Sequence, residues 1–287
     1  MTYKDFEEDE GLRTRKRLYD PRLLYVLVLA VLFIATISPP IFAPPVEPWA
    51  QDFYDTVETL QPGDVVIFNW GVTNKPDIFE YLPTMLRHVL SKDASIVWLT
   101  CDTNALPLAE AAKQYVWGED WRSHDDINYG VNFVDMGYIP ALEAGTVIWL
   151  NDMTGMATDN YGTAIADLPL IVGLTGFDID IIIDSRYFNM AMGGMLLNQA
   201  NDDYGYNFDF LFFGSAQVAI GTAKMYYETG VLAGICAGMR SGYSLTILSG
   251  FAGFCTPYIV ALTLVGVITV VGLVIINGWR AVGGGKQ

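Results

Sequence analysis

Basic residues are scarce where most of this chain lies. Residues Pro44–Arg240 hold eight Lys and Arg against twenty-six Asp and Glu, and the whole chain of 287 residues carries a net charge of −16. An acidic surface repels phosphate backbones, which argues against nucleic acid as a partner; it suits a solvated acidic face or cation binding. Cysteine is limited to Cys101, Cys236 and Cys255. No CxxC pair exists, and the odd, widely spaced set gives no disulfide framework, so buried thiols are expected. Histidine is limited to His88 and His124. No GxGxxG follows the first strand pattern, no Gly-Lys-Ser/Thr loop is present, and no GxSxG elbow occurs. These absences disfavour dinucleotide binding, P-loop chemistry and a Ser–His–Asp hydrolase. No cofactor and no metal site is expected, and the chain reads as a non-enzymatic protein. A metal-assisted hydrolase is the remaining enzymatic alternative, without a ligand set of proper spacing.

Long uncharged runs are present, one near each end: Leu23–Ala43 and Ser241–Trp279. They raise the mean hydropathy to +0.31. Asp20-Pro21 is a helix start, with Asp as N-cap and Pro at the first helical position, and Ser38-Pro39-Pro40 is a stop. The helix between them reaches about 27 Å at 1.5 Å per residue, close to the ~30 Å hydrocarbon core of a bilayer. A cleaved signal peptide is the alternative, but its apolar core is usually shorter, and Pro44-Pro45 after Ala43 is a poor cleavage context. Thr256-Pro257 repeats the start signal, and Asn277-Gly278 closes the second span. Arg13, Arg15, Lys16, Arg17 and Arg22 precede the first span, while Arg280 and Lys286 follow the second. The positive-inside rule then puts both termini in the cytoplasm and the middle outside. The expected organisation is a cytoplasmic tail at 1–20, transmembrane helices at 21–43 and 256–278, an extracytoplasmic domain at 44–255 and a second tail at 279–287. The lipid bilayer is the first partner this implies.

Beyond the stiff linker Pro44–Pro48, hydrophobic patterns alternate. Strand-like runs occur at Val65–Phe68, Ser95–Cys101, Val131–Met136, Ile179–Ile183 and Phe210–Phe213. Helical spacing links Ile78, Tyr81, Leu82, Met85, Leu86, Val89 and Leu90, with Pro83 as a late start, and further helices are expected at Leu106–Trp117 and Ala216–Tyr227. Ala141–Leu174 reads as one or two helices over the sheet. The alternation predicts an α/β fold, a Rossmann-like or flavodoxin-like three-layer domain with a mainly parallel sheet.

Ligands of such sheets bind beyond the carboxyl ends of the strands. Asn69, Asp102, Asp184 and Ser215 fall there and could face one cleft that takes a cation or a small polar ligand. The plainer reading is that strand-end Asp and Asn cap helices or make turns. His124-Asp125-Asp126 resembles a metal cluster only superficially and reads as a solvated loop; His88 reads as structural.

Gly230, Gly234, Gly238 and Gly242 recur at a spacing of four. On a helix they form a face without side chains that suits helix packing, within an oligomer or against another membrane protein. Close packing inside the domain, or a strand with turns, is the alternative. The stretch Tyr226–Arg240, together with the domain start Pro62-Gly63-Asp64-Val65-Val66, resembles a group of uncharacterised prokaryotic membrane proteins with a transmembrane helix at each end of an α/β domain. After Arg240 this chain reads Ser241-Gly242-Tyr243-Ser244, where that group continues acidic and Ala-rich, and the group brings no activity with it. The leading expectation is a membrane-anchored structural or accessory subunit that self-associates or joins a larger complex. The other is an extracytoplasmic small-ligand or cation-binding sensory domain.

Overall fold

The computed structural model describes residues 45–74, 77–140, 148–186, 204–216 and 219–251, together with residues 26, 29, 30 and 266. The chain divides into two compact units, Met1–Pro44 with Thr256–Gln287, and Pro45–Cys255. The expected spans at 21–43 and 256–278 lie outside the described residues except at those four isolated positions. Among the described residues, no helix is long and apolar enough to cross a membrane.

Six strands form one all-parallel sheet within Pro45–Cys255: β1 (Val65–Gly71), β2 (Ser95–Thr100), β3 (Phe133–Tyr138), β4 (Ile179–Arg186), β5 (Asp209–Gly214) and β6 (Gly234–Ala237). Runs such as Val65-Val66-Ile67-Phe68 are apolar at every position because a parallel sheet is covered on both faces. The order is β3-β2-β1-β4-β5-β6. The chain steps outward from β1 to β3, returns to the other side of β1, and steps outward again to β6. This is the order of dinucleotide-binding sheets, not the 2-1-3-4-5 order of the flavodoxin-like alternative. Its reversal puts β1 beside β4.

The two faces differ in chemistry. Four helices gather over one: α1 (Pro48–Glu58), α2 (Ile78–Leu90), α3 (Leu106–Trp117) and α5 (Gly238–Ser249), the last packed on α1 and α2. This face is aromatic. Trp98 meets Phe68 edge-on at 4.5 Å and stacks on Trp70 at 5.3 Å, while Phe53, Phe79 and Trp117 bring rings down from α1, α2 and α3. The opposite face is mostly aliphatic, with Ile67, Leu99, Val134 and Ile182 under Trp149, Met153, Leu168 and Leu232. The short helix α4 (Lys224–Glu228) belongs to the β5–β6 connection.

Several expectations change. Pro83 lies inside α2, which already starts at Ile78. Within 148–174 only a helical turn at 148–151 and short 3-10 turns at Met153–Gly155 and Ile165–Asp167 occur, so no long helix covers the sheet there; residues 141–147 lie outside the described residues. The expected helix at 216–227 is present in its described residues, but with a π-helical stretch, Ala219–Ala223, ahead of α4; residues 217–218 lie outside the described residues. The third strand starts at Phe133, because Val131 and Asn132 close a turn back to Asn128 O.

The glycine series does not form one helix. Gly230 and Gly238 have φ of +78° and +76°, outside the right-handed helical region. Gly230 ends a turn, Gly234 opens β6, Gly238 opens α5, and Gly242 alone is inside a helix. Three of them, Gly234, Gly238 and Gly242, serve close contacts within the domain, while a Cβ on Gly230 would meet nothing within 4 Å. A Cβ on Gly234 would overlap the Phe53 backbone, and one on Gly242 would meet Tyr81 at 2.5 Å. Gly234→Ala is therefore expected to destabilise the domain by about 1–3 kcal/mol through overpacking. A lower urea midpoint at unchanged slope is the expected reading; an unchanged midpoint would show that α1 yields freely over β6.

Candidate functional site

The register of β1 and β4 brings the strand-end residues together. Asn69 pairs with Asp184, Trp70 with Ser185, and Gly71 with Arg186. Because side chains alternate along a strand, Asn69 and Asp184 share the face of Ile67 and Ile182, and Gly71 and Arg186 follow one step on. Asn69 Nδ2 donates to Asp184 Oδ1 at 2.7 Å, and Arg186 Nε donates to the same carboxylate at 3.0 and 3.3 Å. Asn69 and Asp184 have no exposed surface, and Arg186 is 8% exposed. Glycine at 71 makes room for this arrangement, since a Cβ there would lie 2.5 Å from Arg186 Cδ and 2.8 Å from Nε. Ser215 joins from β5, its backbone N–H donating to Arg186 O at 3.4 Å.

The site is incompletely satisfied. Among the described residues, nine buried side-chain polar atoms lack a hydrogen-bond partner; three are Asn69 Oδ1, Trp70 Nε1 and Ser185 Oγ. These three belong to adjacent positions at the carboxyl ends of β1 and β4. Each orphaned group costs about 1–3 kcal/mol and calls for a reason, such as strain, an ordered water, an ion or a ligand. Asn69 lies on one face and Ser185 on the other, so they straddle the strand edge where the sheet order reverses. Ligands of open α/β sheets sit there.

Of the four residues expected to share a cleft, Asn69 and Asp184 are joined side chain to side chain, and Ser215 reaches them only through its backbone N–H on Arg186 O. Asp102 instead caps the turn Thr103–Ala105, its Oδ1 accepting from Asn104 N at 2.9 Å and Asn104 Nδ2 at 3.1 Å. Ser185 and Arg186, which follow Asp184 directly in the chain, were not among those four. The available signal was a charged residue closing the apolar run Ile181-Ile182-Ile183. His124 is bound within its own loop, accepting from Asp126 N at 3.2 Å. His88 is buried on α2, stacked on Tyr54 and 2.8 Å from Glu58; burial pushes its imidazole down despite that carboxylate. Among the described residues, no group of three or more His, Cys, Asp or Glu gathers to hold a metal.

The start of α2 is where a phosphate would sit in a dinucleotide-binding sheet of this strand order. Asp77 occupies that place. Burial pushes its carboxyl up, while the backbone N–H groups of Met239 and Ile78 draw it back. A carboxylate already facing those donors leaves an incoming phosphate repelled.

A second polar cluster lies at the β3 side of the sheet. Lys113 on α3 is fully buried, ion-paired with Asp135 of β3 and 2.9 Å from Glu110 Oε2. Its ammonium lies over the Trp121, Tyr161 and Trp98 rings at 4.9, 5.4 and 5.9 Å. Asn160 Nδ2 and Gly137 N donate to Asp135, and Tyr161 donates to Glu110 at 2.7 Å. Burial and the Glu110 hydrogen bond drive the Tyr161 phenol far up. The charged members all have partners, as a structural lock requires.

Comparison with protein-family models, curated proteins and solved structures finds no match. The class of the domain, a parallel α/β sheet with a strand-order reversal at β1 and β4, therefore rests on its own geometry.

Proposed function

We propose that the chain is a two-pass membrane protein, with both termini cytoplasmic, whose outward domain binds a small polar ligand at the carboxyl edge between β1 and β4. The observation that carries this reading is the trio of orphaned atoms on paired residues, Asn69 Oδ1, Trp70 Nε1 and Ser185 Oγ. One acceptor, one donor and one hydroxyl suit a neutral or cationic ligand with hydroxyl or amine groups. The Asp77 carboxyl at the α2 start and the acidity of the domain disfavour a phosphorylated one. All three atoms are sealed from solvent, so an occupant displaces neighbouring side chains to reach them. The membrane anchors also suit an accessory subunit of a larger assembly. That reading rests on the absence of catalytic motifs, the two anchors and the glycine face; Gly234 and Gly242 are in close contact inside the domain, which weakens the last of these, so the ligand reading leads.

The test is a thermal-shift screen of the full-length protein against polyols, amino acids, amines and simple cations. A ligand at a hundredfold excess over its Kd stabilises by about 2.7 kcal/mol. The shift is expected to disappear in Asn69→Leu and Ser185→Ala; a hit indifferent to both sinks the proposal. Ser185→Ala carries a second expectation. It removes a buried unpaired hydroxyl, so the unliganded variant should gain about 1 kcal/mol of stability while losing affinity. A site kept at the expense of stability behaves this way; a purely structural serine would lose stability instead, and the unfolding midpoint distinguishes the two.

A further inference from the structure

Beyond the carboxyl end of β3 lies a cavity of about 340 Å³, two strands away from the β1–β4 edge. Its wall is apolar: Ile139 and Pro140 leave β3, and Ile148, Trp149 and Met156 close it from the following connection. Trp149 is anchored in the core beneath, at 4% exposure, whereas Ile148 presents 68% of its surface. Among the described lining residues only Asp152 is charged. Thr154 Oγ1 donates to its Oδ1 at 2.9 Å and fixes the carboxyl group. Its Oδ2 leans over Gly155, another wall residue, so close that a Cβ there would lie 3.1 Å away. Asp152 and Gly155 thus line the same stretch of the wall. The volume lies at the small end of small-molecule sites, which combine apolar walls with a few placed polar groups.

We propose that this cavity binds a small amphipathic amine. The alkyl or arylalkyl part fills the space between Ile139, Ile148 and Met156, and the ammonium group sits on Asp152. The charge of the domain points the same way, since an excess of carboxylates concentrates cations and repels carboxylate or phosphate amphiphiles. A neutral molecule of the same shape gains the apolar contacts but leaves Asp152 with no counter-charge. This site is independent of the β1–β4 edge, because no residue is shared between them.

The experiment is calorimetric titration of the full-length protein in lipid nanodiscs, with empty nanodiscs as reference, using butyl-, pentyl- and hexylammonium, hexanol and hexanoate. Affinity is expected to rise about fourfold per methylene, as burial of each CH₂ requires. Hexylammonium should bind about fivefold tighter than hexanol, and hexanoate should not bind. Asp152→Asn should abolish the preference for the ammonium ion and leave hexanol binding intact. Met156→Trp, which fills the cavity, should remove binding of both. Ile148→Ser, at an exposed position tolerant of change, should weaken hexylammonium severalfold with the fold intact. Equal binding of hexylammonium and hexanol by the unmodified protein overturns the proposal. So does a preference that survives Asp152→Asn, or ammonium binding unchanged in Ile148→Ser and Met156→Trp, which would assign it to the acidic surface at large.

Discussion

Lys113→Met is expected to lower the unfolding free energy of the unit Pro45–Cys255 by about 3–5 kcal/mol, the loss typical of removing one member of a buried charge pair. The ammonium is completely buried and answers two carboxylates, Asp135 and Glu110. Methionine matches much of the side chain's length and apolar bulk, so the cavity term is small and the loss comes from Asp135, 2% exposed, being left without a counter-charge. Urea unfolding measures it. Adding Asp135→Leu should recover a large part, because replacing a whole buried pair by packed apolar groups is often neutral. If the single variant costs under about 1 kcal/mol, the pair behaves like an exposed one and the lock is not structural. The cluster also gives a pH dependence. Burial raises the Glu110 carboxyl, but hydrogen bonds from Tyr161 and Lys113 outweigh it and hold the group below its ordinary value of 4.5. A depressed carboxylate contributes its full stability above the unfolded value and loses it as pH falls through the folded one. The acid limb of unfolding should therefore steepen below about pH 4.5 and flatten in Lys113→Met.

Asp184→Ala should be of similar size, about 3–5 kcal/mol, by a different route. It removes the Asp184 carboxylate from the Arg186 guanidinium in a place only 8% exposed, and it removes the acceptor of the Asn69 amide. The pair of Asp184→Ala and Arg186→Met should be less damaging than the sum of its parts, with a coupling of about 1–3 kcal/mol in a double-mutant cycle. Additive losses would show that the two side chains do not support each other. The contrast with Ser185→Ala, one residue along the same strand and expected to stabilise, separates the framework of the site from the part left for a ligand.

Much of the fold was legible. Val65-Val66-Ile67-Phe68, Ile181-Ile182-Ile183 and Leu211-Phe212-Phe213 are apolar at consecutive positions, the mark of a strand buried on both faces, and Leu106–Trp117 has the bounds expected of it. Strand β6 was hidden because Gly234-Ile235-Cys236-Ala237 is short and opens on glycine, so the four-residue spacing suggested a helix instead. Helix α5 was hidden because it overlaps the start of an uncharged run that continues toward residue 256. The candidate site was half legible. A strand-end position can be read from an apolar run and the polar residue after it, but Asp102 and Asp184 look alike in that respect. One caps its own turn and the other holds Asn69 and Arg186.

The sequence by itself determined the acidity of the middle of the chain, the absence of phosphate-binding and nucleophile motifs, and the alternation that makes a parallel sheet, because each of these is a property of composition or of local period. Strand order, register and the partners of buried charges were decided by the tertiary structure alone. Asn69 and Asp184 are 115 residues apart and meet only because the sheet reverses direction at β1. Lys113 finds Asp135 and Tyr161 only once α3 lies over β3. No local pattern encodes contacts of that range, since they are fixed by the global choice of which strand follows which across the sheet.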